Sequence, residues 1–434
     1  MEITVEQKKT RTKKKSDAIQ ALRAVSIIGV VAYHNFHSLS PHGWIGVDIF
    51  FVISGYLMTM ILCRSGITKS STINFFQRRI KRIVPLYLLT ILGTLLFGRI
   101  FYRQHHVFEI GKEAFWPLFF IYNFYYYFFD ESKEAFFDVA ATARPFKQTW
   151  SLCVELQYYT LVPLIFFVFL KFERKIRICC TLFAIVGSFC LHMFTPFSFN
   201  FRSLPTRFWE FMIGTLTYEI IQIFEEQKIS PTDGNSDLKQ IKVVQISNFS
   251  YFSLLTILSY AGCWFLLYFS TGNLMLDRAL SCLLAALVIG FSKFEKSSFL
   301  SFTPLRYIGN ISYSLYLVHF PVSRIAMYSM QEYWQSQVTV KQVLISIFLS
   351  ILISCLLYHS VEKWWIKAHF KTSVISIVVL YVLTILLITE PYVTKKLICG
   401  DYSIENSDAC PAFNQFTQIR PKWYNETEIL RRNF

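Results

Sequence analysis

Residues 18–36 read AIQALRAVSIIGVVAYHNF and, after a short link, residues 44–63 read WIGVDIFFVISGYLMTMILC. Each block is apolar enough and long enough to cross the hydrocarbon core of a bilayer, roughly 30 Å thick, as a helix. Comparable windows follow at 84–101, 149–170, 178–194, 208–224, 252–270, 274–291, 308–328, 343–359 and 374–389. The expected fold is all-α: a polytopic transmembrane helical bundle of about eleven spans.

Composition agrees. Of 434 residues, 53% are hydrophobic, 18% aromatic and only 16% charged, and mean hydropathy is +0.39. A soluble chain of this length carries far more charge. The net charge of +15 would suggest nucleic acid in a soluble protein. Here it fits Lys- and Arg-rich cytoplasmic loops and a lipid bilayer as partner, and no nucleic acid is expected. The run KKTRTKKK at 8–15 reads as a cytoplasmic tail near anionic lipid. No cleavable signal peptide is evident, because the first apolar block runs directly into the body.

Loop charge sets the expected orientation. With the N-terminus inside, the inner loops carry Arg78, Arg79, Lys81 and Arg82, then Arg174, Lys175 and Arg177, and later Lys363, Lys367 and Lys371. The outer loops 39–43 and 271–273 carry no Lys or Arg. That asymmetry predicts a cytoplasmic N-terminus and a C-terminus outside. The block FWPLFFIYNFYYYFF at 115–129 reads as an interfacial or re-entrant segment, since counting it as a span inverts every later loop. Asn425-Glu-Thr427 is then a usable glycosylation site, and Asn248-Phe-Ser250 faces the cytoplasm. Most of the ten Cys lie in apolar blocks as small hydrophobes. Cys399 and Cys410 stand apart in the polar tail and could pair there. No Cys pair has zinc-like spacing, and no metal is expected.

The first span holds Arg23 and His34. They are eleven residues apart, about three helical turns, so they share a face with roughly 16 Å between them. A charged residue at membrane depth costs a few kcal/mol and usually faces a polar interior. The plainer alternative is that Arg23 snorkels to the surface and His34 caps the outer end. Asp48 lies level with His34 across the hairpin. It is expected either to pair with His34 and raise its basicity or to cap its own helix. Arg79 and Arg82, three apart, point the same way if helical. With Arg78 and Lys81 they suit lipid headgroups or a phosphate cradle.

Arg23-(ten residues)-His34, then GVDIFFVISGY, then RRIKRIVP, closely resembles the acyltransferase 3 family of membrane O-acyltransferases. Later segments agree in the same order. Thr149-Trp-Ser-Leu-Cys-Val-Glu155 resembles the family's Trp-Ser-Leu-x-x-Glu stretch, with Leu156 where an acid is common. Arg207-Phe-Trp-Glu210-Phe-Met-Ile-Gly214 resembles Arg-x-x-Glu-Phe-x-x-Gly. The segment from Gly309 to His319 resembles Ser-Tyr-Ser-x-Tyr-Leu-x-His, and Val361-Glu362 the closing Val-Glu. The likeness spans roughly 17–363.

The resemblance implies transfer of an acyl group from cytosolic acyl-CoA to a hydroxyl of a carbohydrate, lipid or other acceptor on the lumenal or extracellular side. No resident cofactor is implied. His34 is then the central catalytic residue, as general base or through an acyl-His intermediate, with Asp48 and Glu155 beside it. Arg23, Arg79 and Arg82 bind the donor's phosphates. Ser54, Arg207, Glu210 and His319 contact the acceptor. Plainer readings stand beside these: a Glu155–Arg207 ion pair, a helix–helix hydrogen bond for His319, and a surface role for Glu362. A transporter of an acylated or lipid-linked compound is the alternative function, although no second copy of the motifs appears in the other half.

The organisation expected is a basic tail at 1–16, the acyltransferase-like membrane domain at 17–372, an additional transmembrane helix at 373–389 and an extracytoplasmic tail at 390–434. That tail resembles a linker to an SGNH-type domain, and is too short to be one. The chain therefore lacks that domain or is a truncated product. The membrane is the endoplasmic reticulum or plasma membrane in a eukaryote and the inner membrane in a bacterium.

Overall fold

A computed structural model describes residues 16–102, 104–129, 144–227, 238–294, 299–330 and 339–399. The run 8–15, Cys410, Asn425 and the side chain of Asn248 lie outside the described residues, and with them the expectations made for each.

The helices follow one another as α1 (Asp17–Asn35), α2 (Gly46–Ser65), α3 (Lys69–Phe101), α4 (Gln104–Leu118), α5 (Tyr122–Phe129), α6 (Thr149–Phe169), α7 (Arg174–Phe194), α8 (Phe197–Asn200), α9 (Leu204–Gln227), α10 (Leu238–Tyr268), α11 (Leu274–Phe291), α12 (Thr303–Met330), α13 (Val340–Leu357), α14 (Lys363–Lys367) and α15 (Phe370–Cys399). Every apolar window named above falls largely within one of them. Among the described residues, eight helical stretches can cross a membrane by length and composition alone. The chain is an integral multi-pass membrane protein.

α1, α9 and α12 are long enough and yet are not among the eight. They are the helices that carry Arg23 and His34, Arg207 and Glu210, and His319. Each is enclosed by protein: α1 packs on α12, and α9 on both α2 and α7. A helix that meets protein on most sides can hold polar residues that a lipid-facing helix cannot. α7 and α15 show the converse, with only 17% of their apolar windows buried and Phe183 and Phe194 fully outward.

Two glycine contacts set the core. On α2 and α9, a side chain at Gly55 would collide with the backbone of Phe211, and one at Gly214 with the backbone of Val52 and Tyr56. These helices therefore touch backbone to backbone, as small residues permit in membranes. Thr59 and Thr215 bond at 2.9 Å just beyond the crossing. α1 and α12 also run parallel: Gly309 abuts the backbone of Gln20, Arg23 meets Ser312, and Asn35 meets Ser323.

Three local findings adjust the sequence reading. α3 begins at Lys69, capped by the Thr68 and Ser71 side chains, so Arg78–Arg82 belong to a helix and not to a loop. The aromatic block is broken: α4 ends at Leu118, Phe120 takes a left-handed φ of 58°, and α5 begins at Tyr122. It forms no single span. Finally, a π-turn at Tyr358–Glu362 follows α13 and turns Glu362 inward, where it accepts from Ser314. Glu362 is buried, so the expected surface role is wrong.

Candidate active site

Two cavities lie in series along α1. The first is lined by Arg23 from α1, Ser54 from α2, Arg79 and Arg82 from α3, and Glu155 and Tyr159 from α6, and holds about 750 Å³ of empty space, part of it open to solvent. Three guanidinium groups thus come from two helices to one chamber. Arg23 donates from Nε to Ser312 at 3.0 Å. Arg79 lies over the rings of Phe75 and Tyr159, at 5.8 and 5.6 Å, and its Nε has no hydrogen-bond partner among the described residues. The hydroxyls of Ser54 and Tyr159 both donate to the Glu155 carboxylate. A cationic chamber with unsatisfied donors suits a polyanion.

The second cavity is smaller. His34, Asp48, Gln148, Trp150, Phe201 and Arg207 line it, with Tyr33 and Trp44. Val47 and Tyr316 line both cavities and so form the wall between them. The Tyr316 hydroxyl donates to the Gln148 carbonyl at 2.9 Å and bonds the Ser151 hydroxyl. Ser151 lines the first cavity and Gln148 the second.

His34 stands at the second cavity with its Nδ1 3.0 Å from Nε2 of His319; the rings stack at 5.2 Å. Arg23 and His34 both meet α12, which bears out the shared face read from their spacing. The expected His34–Asp48 pair is not formed. Asp48 bonds Arg207, which also pairs with Glu210 at 3.1 Å. All three are buried. The reason is the α2–α9 crossing: Asp48 lies two turns before Gly55 and Arg207 two turns before Gly214, so parallel helices in backbone contact set them level. The same geometry removes the expected Glu155–Arg207 pair, since Glu155 faces the first cavity.

The residues expected at the donor end therefore converge with Ser54 and Glu155, and those expected at the acceptor end split. His34, Asp48 and Arg207 line the cavity; Glu210 lies behind Arg207 and His319 behind His34. Sequence reasoning missed Tyr159, one turn after Glu155, and Tyr316, inside the Gly309–His319 segment, because an aromatic ring in an apolar window reads as packing. It also missed Arg278, the only Arg of α11, which is fully buried, has no hydrogen-bond partner among the described residues and stacks at 4.8 Å on both Trp44 and Phe201.

Comparison with known proteins follows the same motifs. The family described as an acyltransferase domain matches residues 16–359, most of the chain. The chain belongs to the acyltransferase 3 family. Among curated relatives, the O-acetyltransferase OatA of Staphylococcus aureus is 30% identical over 362 residues, 81% of this chain and 57% of the relative. The peptidoglycan O-acetyltransferase OatA of Listeria monocytogenes is 29% identical over 315 residues, 70% of this chain and 49% of the relative. The chain spans about half the length of these curated relatives. No solved structure matches it. The acyltransferase 3 match covers both cavities and ends before α15, which packs on α3 and α4 at the periphery.

Proposed function

We propose that this chain is a membrane O-acyltransferase that moves an acyl group, acetyl in the simplest case, from cytosolic acyl-CoA to a hydroxyl on the opposite side of the membrane. One observation carries the reading: the chamber holding Arg23, Arg79 and Arg82 shares a wall with the cavity of His34. A donor of several phosphates and a long flexible arm fits that arrangement. The phosphates meet the guanidinium groups, and the thioester extends toward Tyr316. The names of both relatives specify O-acetyl transfer, and that of the Listeria protein specifies peptidoglycan. A glycan hydroxyl is therefore the first acceptor to test.

In the proposed reaction the acceptor hydroxyl sits beside His34. Its oxygen attacks the thioester carbonyl carbon as His34 takes its proton. The new C–O bond forms, the C–S bond breaks, and the departing thiolate receives the proton from His34. Asp48 takes no part in this proton path, because its partner is Arg207; it holds the cavity wall. Glu155 orients Ser54 and Tyr159 at the donor.

The test is thiol release by the purified full chain in nanodiscs, with acetyl-CoA and a peptidoglycan fragment. Wild type should release CoA in proportion to acceptor, and His34→Ala should lose at least about 100-fold. Equal release from a folded His34→Ala protein would sink the assignment. Arg79→Ala plus Arg82→Ala should weaken donor binding by about tenfold or more, with a reduced salt dependence.

A further inference from the structure

We propose that His319 is a positioning residue: it fixes His34 as the tautomer protonated on Nδ1 and leaves Nε2 of His34 as the free basic nitrogen of the second cavity. The hydrogen-bond geometry carries this without reference to the reaction. Nδ1 of His319 lies 3.0 Å from the Leu315 carbonyl and 2.8 Å from the Tyr316 carbonyl. Carbonyl oxygens only accept, so this nitrogen bears the hydrogen. In a neutral imidazole the lone pair then sits on Nε2. That atom is 3.0 Å from Nδ1 of His34, which must therefore donate. The remaining nitrogen of His34 carries a lone pair and has no partner among the described residues.

The competing form, a doubly protonated His319 donating to His34, would bury a cation in the bundle. Among the described residues, no carboxylate hydrogen-bonds or ion-pairs with either ring. The Phe320 ring packs on His34 at 4.9 Å and bears the Arg324 guanidinium at 4.6 Å, which is a further cation. Burying an imidazolium there without an acid is costly. The carbonyls that orient His319 belong to its own helix, one turn back, so the orientation is built into α12. The arrangement does for His34 what a carboxylate does in many general-base pairs, but with a neutral acceptor.

The consequence for turnover rests on the acyl-transfer reading; the tautomer does not, and the test separates them. The full chain, labelled with 15N-histidine in nanodiscs, gives a spectrum in which subtraction of His34→Gln isolates His34. The expected pattern is hydrogen on Nδ1 in wild type and a mixture of tautomers in His319→Leu. In thiol release, His319→Leu should lower kcat by about 100-fold or more at unchanged donor KM. His319→Gln, whose side-chain oxygen can accept in place of Nε2, should recover most of that loss. A wild-type His34 with hydrogen on Nε2 overturns the proposal, as does an equal loss in the Gln and Leu variants. If wild type releases no CoA, the acyl-transfer reading fails and the spectrum alone decides the role of His319.

Discussion

At the scale of single residues, the buried ion pair is what the membrane makes most demanding. Arg207 pairs with both Asp48 and Glu210, and all three are buried inside the bundle. Removing Arg207 leaves two buried acids unpaired, so Arg207→Ala should cost about 3–5 kcal/mol, read as a lower Tm in detergent. Adding Asp48→Asn and Glu210→Gln to that variant should restore much of the loss, because the uncompensated charges are gone. If the triple variant melts as low as the single one, packing and not charge sets the cost. Arg207 and Glu210 stood out in the sequence as costly residues in an apolar window. Their partner did not, because equal depth in two hairpin helices fits His34 as well as Arg207.

At the scale of elements, α2 and α9 depend on glycine where backbones touch and tolerate change where they do not. Gly55→Leu would force the Phe211 carbonyl away and should cost at least about 2 kcal/mol. Gly93, in the interior of α3, has nothing among the described residues within 4 Å of where a Cβ would sit. Gly93→Ala should therefore gain about 0.5–1 kcal/mol from helix propensity alone. Melting both variants beside wild type checks the contrast, and a neutral Gly55→Leu would refute the crossing. Both glycines sit in apolar windows and look alike in the sequence. Only one meets a neighbouring helix.

At the scale of the whole molecule, two chambers in series raise the problem of leakage. Tyr316 closes one from the other, held by the Gln148 carbonyl and Ser151. In the proposed reaction, a closed wall would keep water on the acceptor side from the donor's thioester until an acceptor arrives. Tyr316→Ala should raise acceptor-independent CoA release by about tenfold, as water reaches the donor. Tyr316→Phe keeps the ring and should stay coupled to acceptor. Acceptor-independent release that is unchanged in Tyr316→Ala would place the barrier elsewhere.

The sequence by itself determined the helical membrane bundle, because bilayer thickness converts directly into a length of apolar chain. It also singled out Arg23, His34, Arg79, Arg82, Glu155, Arg207 and His319, because polar groups in lipid are too costly to be incidental. Helical periodicity was enough to set Arg23 and His34 on one face. Partners were another matter. That Asp48 meets Arg207, that His34 meets His319, and that Glu362 turns inward were decided by which helices cross, at what register, and where a π-turn shifts the phase. Those depend on glycines in backbone contact and on helices far apart in the chain, and hydropathy along one strand of sequence holds no record of them.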